Sequence, residues 1–414
     1  MNGECRACND HDIERIWRLE DSPYGDLFRS SKEEGVKVSK MTLTLAICRS
    51  CSLLQLLEEV DAGQIYADYL YLTEVTVGLS FFYSRLAENL VRTLGLGVGE
   101  LIVDVGSNDG SGLVPFKDAG LTVVGIEPAL GPSQVAEARG IPTVRGFLDS
   151  NSRDQVVSNY GLARLICANA VMANVDDPRG FLDTIGSMLA PDGIVSVVTG
   201  YHPDQFAVNM FDYINHDHLS YFTVKSMAAL ADSSGLRLLS ASRVEHKGGS
   251  IHFLMSRKDD LSREADGSIA KLLQREEWLA ANTAHPTTSL ASRLTHVMEQ
   301  TANLINILGN EKIPGIGASI STTHLLHQFK LGDRISSLFD DDPRKIGLYS
   351  PGFGIEVRPL SELREASGSA VILLSWQHSA VLVDRLRQIG FHGQVILPLP
   401  NPKIISVSAR PGKL

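Results

Sequence analysis

Short apolar runs alternate with segments of helical spacing along two stretches of the chain. From Leu101 to about Ser256 the runs are LIVDVG, LTVVGIEP, PTVRG, ARLICAN, GIVSVVTG, RLLSASRV and SIHFLMSR. Strand-like and helix-like segments in this alternation predict a mostly parallel sheet with helices on both faces. Ahead of it, an aromatic lead-in, IYADYLY, runs toward apolar positions that recur at helical spacing from Phe81 to Leu94. From about Leu261 to Leu308 the pattern is helical and linking, carried by KLLQREEWLAA and LASRLTHVMEQTANLINIL. A second strand–helix rhythm follows in KIPGIGA, RISSLFDDD, AVILLSW and GQVILPLP, with the helix-like VLVDRLRQIG before the last. The chain is therefore expected to be α/β, with no solenoid repeat.

Composition narrows the functions open to such a chain. Its 414 residues are 43% apolar, enough for at least one large core and for two or three domains. No run of 18 apolar residues occurs, and the opening MNGECRACNDHD lacks the basic-then-apolar order of a signal peptide. A cytoplasmic protein without membrane segments is expected. The formal net charge of −10 is not offset by a Lys/Arg stripe, which argues against a nucleic acid as partner and leaves room for a small molecule in a local pocket.

Four of the five cysteines form two Cys-x-x-Cys pairs, Cys5 with Cys8 and Cys48 with Cys51. In a reducing compartment this spacing suits tetrahedral Zn²⁺, because two thiolates from each tight turn reach one ion; free thiols or a redox pair are the alternatives. Four thiolates leave no open coordination position, so the expected zinc is structural. Cys167, alone in an apolar run, reads as a core thiol.

LIVDVGSNDGSGL sets Asp104, Gly106 and Gly110 in the pattern Asp-x-Gly-x-x-x-Gly, directly after a strand and before a helix. Glycine there lets backbone N–H groups approach a ligand, and a crevice opens outside the carboxyl ends of parallel strands. The next strand ends in GIEP, which puts Glu127 where an acid accepts both hydroxyls of a ribose. The spacing is not the Gly-x-Gly-x-x-Gly of a pyrophosphate turn, so a nucleoside without phosphates, S-adenosylmethionine (SAM), fits better than NAD. Ser107 and Asn108 of the turn, Asn169 at the end of ARLICAN and Tyr71 of the lead-in complete the expected donor site. A turn without a ligand is the plain alternative. Asp149 is either a helix cap or a contact to adenine.

The stretch FDYINHDHLSYF crowds two histidines, two aspartates, an asparagine and two tyrosines into twelve residues. Its histidines and Asp217 are neighbours in sequence and cannot converge on one ion without a bend, so a metal site is disfavoured. His216 reads as structural, and His218 as either a functional imidazole or the cap of a helix starting near TVKSM.

Together with the cysteine pairs, YADYLY, DVGSNDGSGL, GIEPA, ANAVMANVDDPRGF, FDYINHDHLSYF, GGSIHFL, GIGAS, DDDPRKIGLYSPG and LSW form an ordered set. This set resembles the zinc-containing sugar C-methyltransferases, which act at carbon 3 of nucleotide-linked 4-keto-6-deoxysugars. The resemblance runs through the whole chain. It implies a zinc-binding region over 1–65, a class I, Rossmann-like methyltransferase core over 66–258, a helical linker over 259–309 and a C-terminal Rossmann-like α/β domain for substrate over 310–414. In that family the segment matching YINHDHLSYF reads Tyr-His-Glu-His, and its tyrosine, glutamate and second histidine line the sugar site. Asn215, Asp217 and His218 occupy those positions here. Asn174 stands where the family carries a histidine, and STTH, Ser321 to His324, replaces Lys-Gly-Asn-Thr. These departures touch the acceptor and leave the donor half intact.

Carbon methylation beside a ketone needs an enolate and hence a base of pKa near neutrality, a role His218 suits. Asp217 is placed to orient or pair with an imidazole, and Asn215 to donate to the enolate oxygen. Tyr66, Tyr69, Asn174 and Ser321 are the expected acceptor contacts, with the tyrosines serving as a lid or as core aromatics. The expected partner is a small molecule, a nucleotide sugar by resemblance. Methyl transfer to oxygen or nitrogen of an altered acceptor, and a SAM-binding scaffold with little catalysis, are the competing expectations.

Overall fold

The computed structural model describes residues 3–58, 72–75, 78–245, 248–282, 286–308, 312–366 and 370–408. Tyr66, Tyr69 and Tyr71 lie outside the described residues. Contacts divide the chain into two units: residues 1–15, 46–203 and 217–282 form the first, and residues 16–45, 204–216 and 283–414 the second. The chain passes between them within β1 (Ile13–Pro23) and β2 (Lys40–Cys48) and returns to the first unit for β3 (Leu54–Leu56).

The first unit is built on β4 (Leu101–Val105), β5 (Thr122–Glu127), β6 (Thr143–Arg145), β7 (Ala163–Asn169), β8 (Leu189–Gly200), β10 (Leu236–Val244) and β11 (Ser250–Arg257), in the order β10-β11-β8-β7-β4-β5-β6. The short β9 (Ser220–Tyr221) pairs instead with β3. Strands β6, β5, β4, β7 and β8 run parallel, and β11 and β10 close one side antiparallel. Apolar runs such as LIVDV are buried on both faces, as central parallel strands must be. Ile102 points into one core cluster while Val103 and Val105 point into the other, following the two-residue period of a strand. From β4 the chain winds outward through β5 and β6, then returns to β7 on the other side of β4. The carboxyl ends of β4 and β7 thus flank a topological switch point, the place where such sheets open a crevice.

Helices cover both faces. In Leu79–Leu94 the buried Leu79, Tyr83, Ala87 and Leu90 recur every three to four residues, and Gly95 ends the helix at φ 63°. In Pro178–Met188 the Asp177 side chain accepts the Gly180 N–H, proline opens the first turn, and Phe181, Leu182, Ile185 and Met188 form the buried stripe. Asp149 is a helix cap: it forms a capping box with Ser152 at Ser150–Tyr160. Thr223, not His218, caps Val224–Ser233.

The second unit carries β12 (Ile313–Ile316), β13 (Ile335–Asp340), β14 (Val357–Pro359), β15 (Ala370–Leu373), β16 (Gly393–Leu397) and β17 (Lys403–Val407), in the order β14-β13-β12-β15-β16-β17. All neighbours are parallel except β16 and β17. β1 and β2 belong to a separate four-stranded sheet, β1-β2-β3-β9, while residues 16–45 also bond to a helix and loops of the second unit. Thr323 donates its hydroxyl to the Gly25 carbonyl at 2.7 Å, the Arg29 N–H to Tyr349 at 3.0 Å, and the Gly352 N–H to Gly35 at 2.8 Å.

Candidate active site and metal centre

The two cysteine pairs meet. The sulfurs of Cys5, Cys8, Cys48 and Cys51 all lie within 4.8 Å of one another, with Cys5–Cys51 at 3.5 Å and Cys8–Cys48 at 3.6 Å. Tetrahedral zinc with bonds of about 2.3 Å needs sulfur separations of about 3.8 Å, so the four atoms fit one ion. The hydrogen bond from Cys51 holds the Cys5 thiol down to about 5, while burial pushes Cys8 up to about 11, and the bond to Cys5 together with burial pushes Cys51 well up. So crowded a thiol set tolerates one thiolate readily and four only around a cation.

At the switch point of the first sheet lies a cavity of about 580 Å³. The glycine-rich turn forms its floor. Gly106, at φ 71°, passes so close to Val171 that a Cβ there would sit 2.4 Å from the valine methyl, so only glycine fits this crossing. Glu127, 4% exposed, is held from below by two backbone amides: Asn108 N–H donates to Oε2 at 2.9 Å and Ala129 N–H to Oε1 at 2.8 Å. Burial raises its carboxyl and these bonds oppose the rise. Burial and the charge of Glu127 push the Asp104 carboxyl up to about 8, and among the described residues its Oδ1 has no hydrogen-bond partner. Ser107 Oγ and Asn169 Oδ1 are likewise buried without one. Three buried polar atoms thus await a ligand at the carboxyl ends of β4 and β7.

Of the residues singled out in the sequence, Asp104, Gly106, Ser107, Asn108, Glu127, Asn169 and Asn174 line this cavity. Gly110 does not; at φ 74° it packs on Ala136 and Ile141, where a Cβ would lie 3.2 and 3.1 Å from their side chains. Asn215, Asp217 and His218 are also absent from the lining. Asn215 is buried in the second unit, and Asp217 and His218 belong to the first, where both are half-buried. His218 is nonetheless tied to the rim, since Leu219 N–H donates to the Ala173 carbonyl at 2.6 Å, one residue from Asn174. His216 is structural: its ring stacks on Tyr24 at 4.3 Å and its Nε2 lies 3.1 Å from the Ser22 carbonyl oxygen. Ser321 is buried in the second unit, with its hydroxyl bonded to Asp212.

The cavity also takes in residues that the sequence reading left without a role. Phe147 and Leu148 stand in the wall just before the capping Asp149, Thr73, Leu79 and Tyr83 form another side, and Asp176 and Asp177 stand at the rim. VDDP carried a legible cap signal in its second aspartate; nothing in the pattern marked the first as a cavity residue. The lining holds four carboxylates, of Asp104, Glu127, Asp176 and Asp177, and no lysine, arginine or histidine among the described residues.

Comparison with known proteins agrees with this layout. A zinc binding domain model matches residues 5–66, a methyltransferase domain model residues 80–241, and a C-methyltransferase C-terminal domain model residues 245–400. C-methyltransferase NovU of Streptomyces niveus is 27% identical over 413 residues, 98% of this chain and 97% of its own. The chain is a SAM-dependent methyltransferase. A demethylmenaquinone methyltransferase of Renibacterium salmoninarum is 30% identical over 122 residues, which is 28% of the methyltransferase described here and 47% of the relative. Magnesium protoporphyrin IX methyltransferase of Synechocystis PCC 6803, solved with bound SAM, is 14% identical, covering 47% of this chain and 88% of its own at a TM-score of 0.35. The four clustered cysteines, within the stretch matched by the zinc binding domain model, are the residues that would hold zinc. Among the described residues no helix is long and apolar enough to cross a membrane.

Proposed function

We propose that the methyltransferase binds SAM in the cavity at the β4–β7 switch point and transfers its methyl group to carbon 3 of a nucleotide-linked 4-keto-deoxysugar. The observation that carries the donor assignment is the acidic make-up of the lining: four carboxyl groups, of which burial keeps Asp104 neutral up to about 8 until a cation arrives, and no base among the described residues. Such a surface attracts the sulfonium and ammonium groups of SAM and repels the pyrophosphate of a dinucleotide. Glu127, with its lower lone pairs fixed by backbone amides, turns its remaining ones toward the two ribose hydroxyls. Asn169 Oδ1 and Asp104 Oδ1 face the amino-acid part of the donor.

The acceptor assignment is supported by the resemblance to sugar C-methyltransferases and by the full-length relative named a C-methyltransferase. In this reading His218 removes the proton from carbon 3 and Asp217 steadies the imidazolium. The enolate carbon then forms the new C–C bond as the methyl–sulfur bond breaks, its electron pair passes to sulfur, and the proton leaves His218 for solvent. The nucleotide diphosphate stays outside the acidic cavity. Ser321, bonded to Asp212, serves as support.

The test is incubation of the enzyme and a 4-keto-6-deoxysugar nucleotide in deuterium oxide with S-adenosylhomocysteine in place of donor. Exchange of the proton at carbon 3 supports the reading. Its absence with every such nucleotide, while methyl transfer to another acceptor proceeds, replaces carbon by oxygen or nitrogen as the methylated atom.

A further inference from the structure

The turn that floors the donor cavity also holds down a wall of it. Asn108, itself in the left-handed region at φ 49°, directs its N–H to Glu127 and its side-chain oxygen outward. That oxygen accepts the Thr73 N–H at 2.9 Å and the Thr73 hydroxyl at 3.2 Å. The next residue repeats the pattern, since fully buried Asp109 accepts the Glu74 N–H on Oδ2 at 2.9 Å. Thr73 lines the cavity, as do Leu79 and Tyr83 farther along the same stretch. The short 3-10 turn Thr73–Val75, whose Thr73 lines the cavity, is therefore tied to the glycine-rich turn by the side chains of Asn108 and Asp109.

Arg139 closes this strap. Projecting from the end of the helix Leu130–Ala138, its Nη1 donates to the Asp109 carbonyl and to Ser111 Oγ, both at 2.9 Å, and lies 3.5 Å from Asp109 Oδ1. Its Nη2 donates to the Glu74 carboxylate. One guanidinium thus joins strap and turn, with the planar fork that lysine cannot reproduce. It is 26% exposed and Glu74 45% exposed, so the pair meets solvent while Asp109 does not.

We propose that Arg139 is a positioning residue for methyl transfer: by tying Glu74 to the glycine-rich turn it latches Thr73–Val75 across the donor cavity, and donor binding and product release require the latch to open. This rests on SAM occupying that cavity. The latch adds no contact to the donor and sets how fast ligands leave.

The experiment is stopped-flow release of S-adenosylhomocysteine from Glu74→Gln, Arg139→Gln, the double variant, Arg139→Lys and Glu127→Ala, with thermal unfolding alongside. Glu74→Gln touches only a half-exposed side chain, so its melting temperature should hold while release accelerates about fivefold, the scale of one partly exposed ion pair. Arg139→Gln should match or exceed it, the double variant should add little beyond Arg139→Gln, and Arg139→Lys should recover part of the effect. Raising salt should speed release from the unmodified enzyme and not from Glu74→Gln. If Glu127→Ala weakens binding while Glu74→Gln releases product at the original rate, the latch is overturned and the donor site stands. If Glu127→Ala leaves binding unchanged, the donor lies elsewhere and both fall.

Discussion

Ser321 donates its hydroxyl hydrogen to the carboxylate of Asp212, and the same oxygen accepts Trp376 Nε1 at 2.9 Å and Gln377 Nε2 at 2.6 Å. Ser321 follows β12, and Trp376 and Gln377 follow β15, the neighbour on the opposite side from β13. At this second switch point, where a doubly wound sheet usually admits a ligand, a buried carboxylate of the chain's own FDYINHDH segment takes up three donors. Replacing Asp212 by alanine strands the buried Trp376 N–H and the half-buried Gln377 amide and leaves Ser321 only the Leu374 carbonyl, which should destabilise the protein by about 2 kcal/mol or more. Ser321→Ala removes one of the three and should cost about 1 to 2 kcal/mol while leaving the acceptor KM unchanged. Denaturant unfolding and steady-state kinetics check both; a raised KM with unaltered stability would return Ser321 to the acceptor site.

The sequence spoke clearly where one element dictates its own form. LIVDV, ARLICAN and AVILL are buried on both faces and could be read as strands without their neighbours. The glycine-rich turn was equally legible as a strand-to-helix turn, since Asp104, Gly106 and Glu127 take their places from a single strand–turn–helix–strand unit. What depended on distant pairing was not. β1 and β2 alternate only loosely and went unread, and residues 16–45 bond to a helix and loops of the C-terminal half through Gly25, Arg29 and Gly35, which carry no pattern. The helix Ile320–Gln328, rich in serine and threonine, was hidden by weak propensity; its capping box of Ser319 and Thr322 supplies what propensity does not. Asp212 drew notice only as part of a polar crowd, because its three donors lie more than a hundred residues away.

Removal of the metal should act on fold before chemistry. Cys5, Cys48 and Cys51 are buried among core residues of the first unit, so loss of zinc leaves crowded polar thiols where a charged, fourfold-bonded centre stood. The purified protein should carry about one equivalent of zinc. Cys48→Ser should bind far less than that, melt at lower temperature and expose the first unit to proteolysis. Metal analysis checks the stoichiometry, and an unaltered melting temperature in a zinc-free Cys48→Ser protein would contradict a structural role.

Acidity should tune both stability and donor affinity through Asp104. Its carboxyl is neutral in the folded free protein up to about 8, held there by burial and by Glu127, whereas an unfolded aspartate ionises near 4. The folded state therefore binds the extra proton between those values, so stability of the free protein should fall as pH rises from about 4 to 8. The cationic donor favours the ionised carboxylate, so binding should release a proton and affinity should increase with pH over the upper part of that window. Calorimetry in buffers of different ionisation enthalpy measures the released proton. Asp104→Asn should flatten both dependences; retention of the full pH slope in that variant would place the titrating group elsewhere.

The half-buried His218 is one residue from a backbone bond to the rim that carries Asn174, close to the donor cavity without lining it. If His218 is the base of the proposed reaction, it serves the acceptor and has no part in holding the donor itself. His218→Ala should accordingly leave SAM affinity unchanged, lower turnover by about a hundredfold or more, and abolish exchange of the acceptor proton with deuterium. His218→Gln, which keeps a polar side chain of similar reach but takes up no proton, should behave like the alanine variant, separating proton transfer from mere hydrogen bonding. An acceptor that already carries its nucleophile, an amine or a hydroxyl, would tolerate the loss far better. If His218→Ala retains turnover within a fewfold of the unmodified enzyme, the base is another group, or the methylated atom is not carbon.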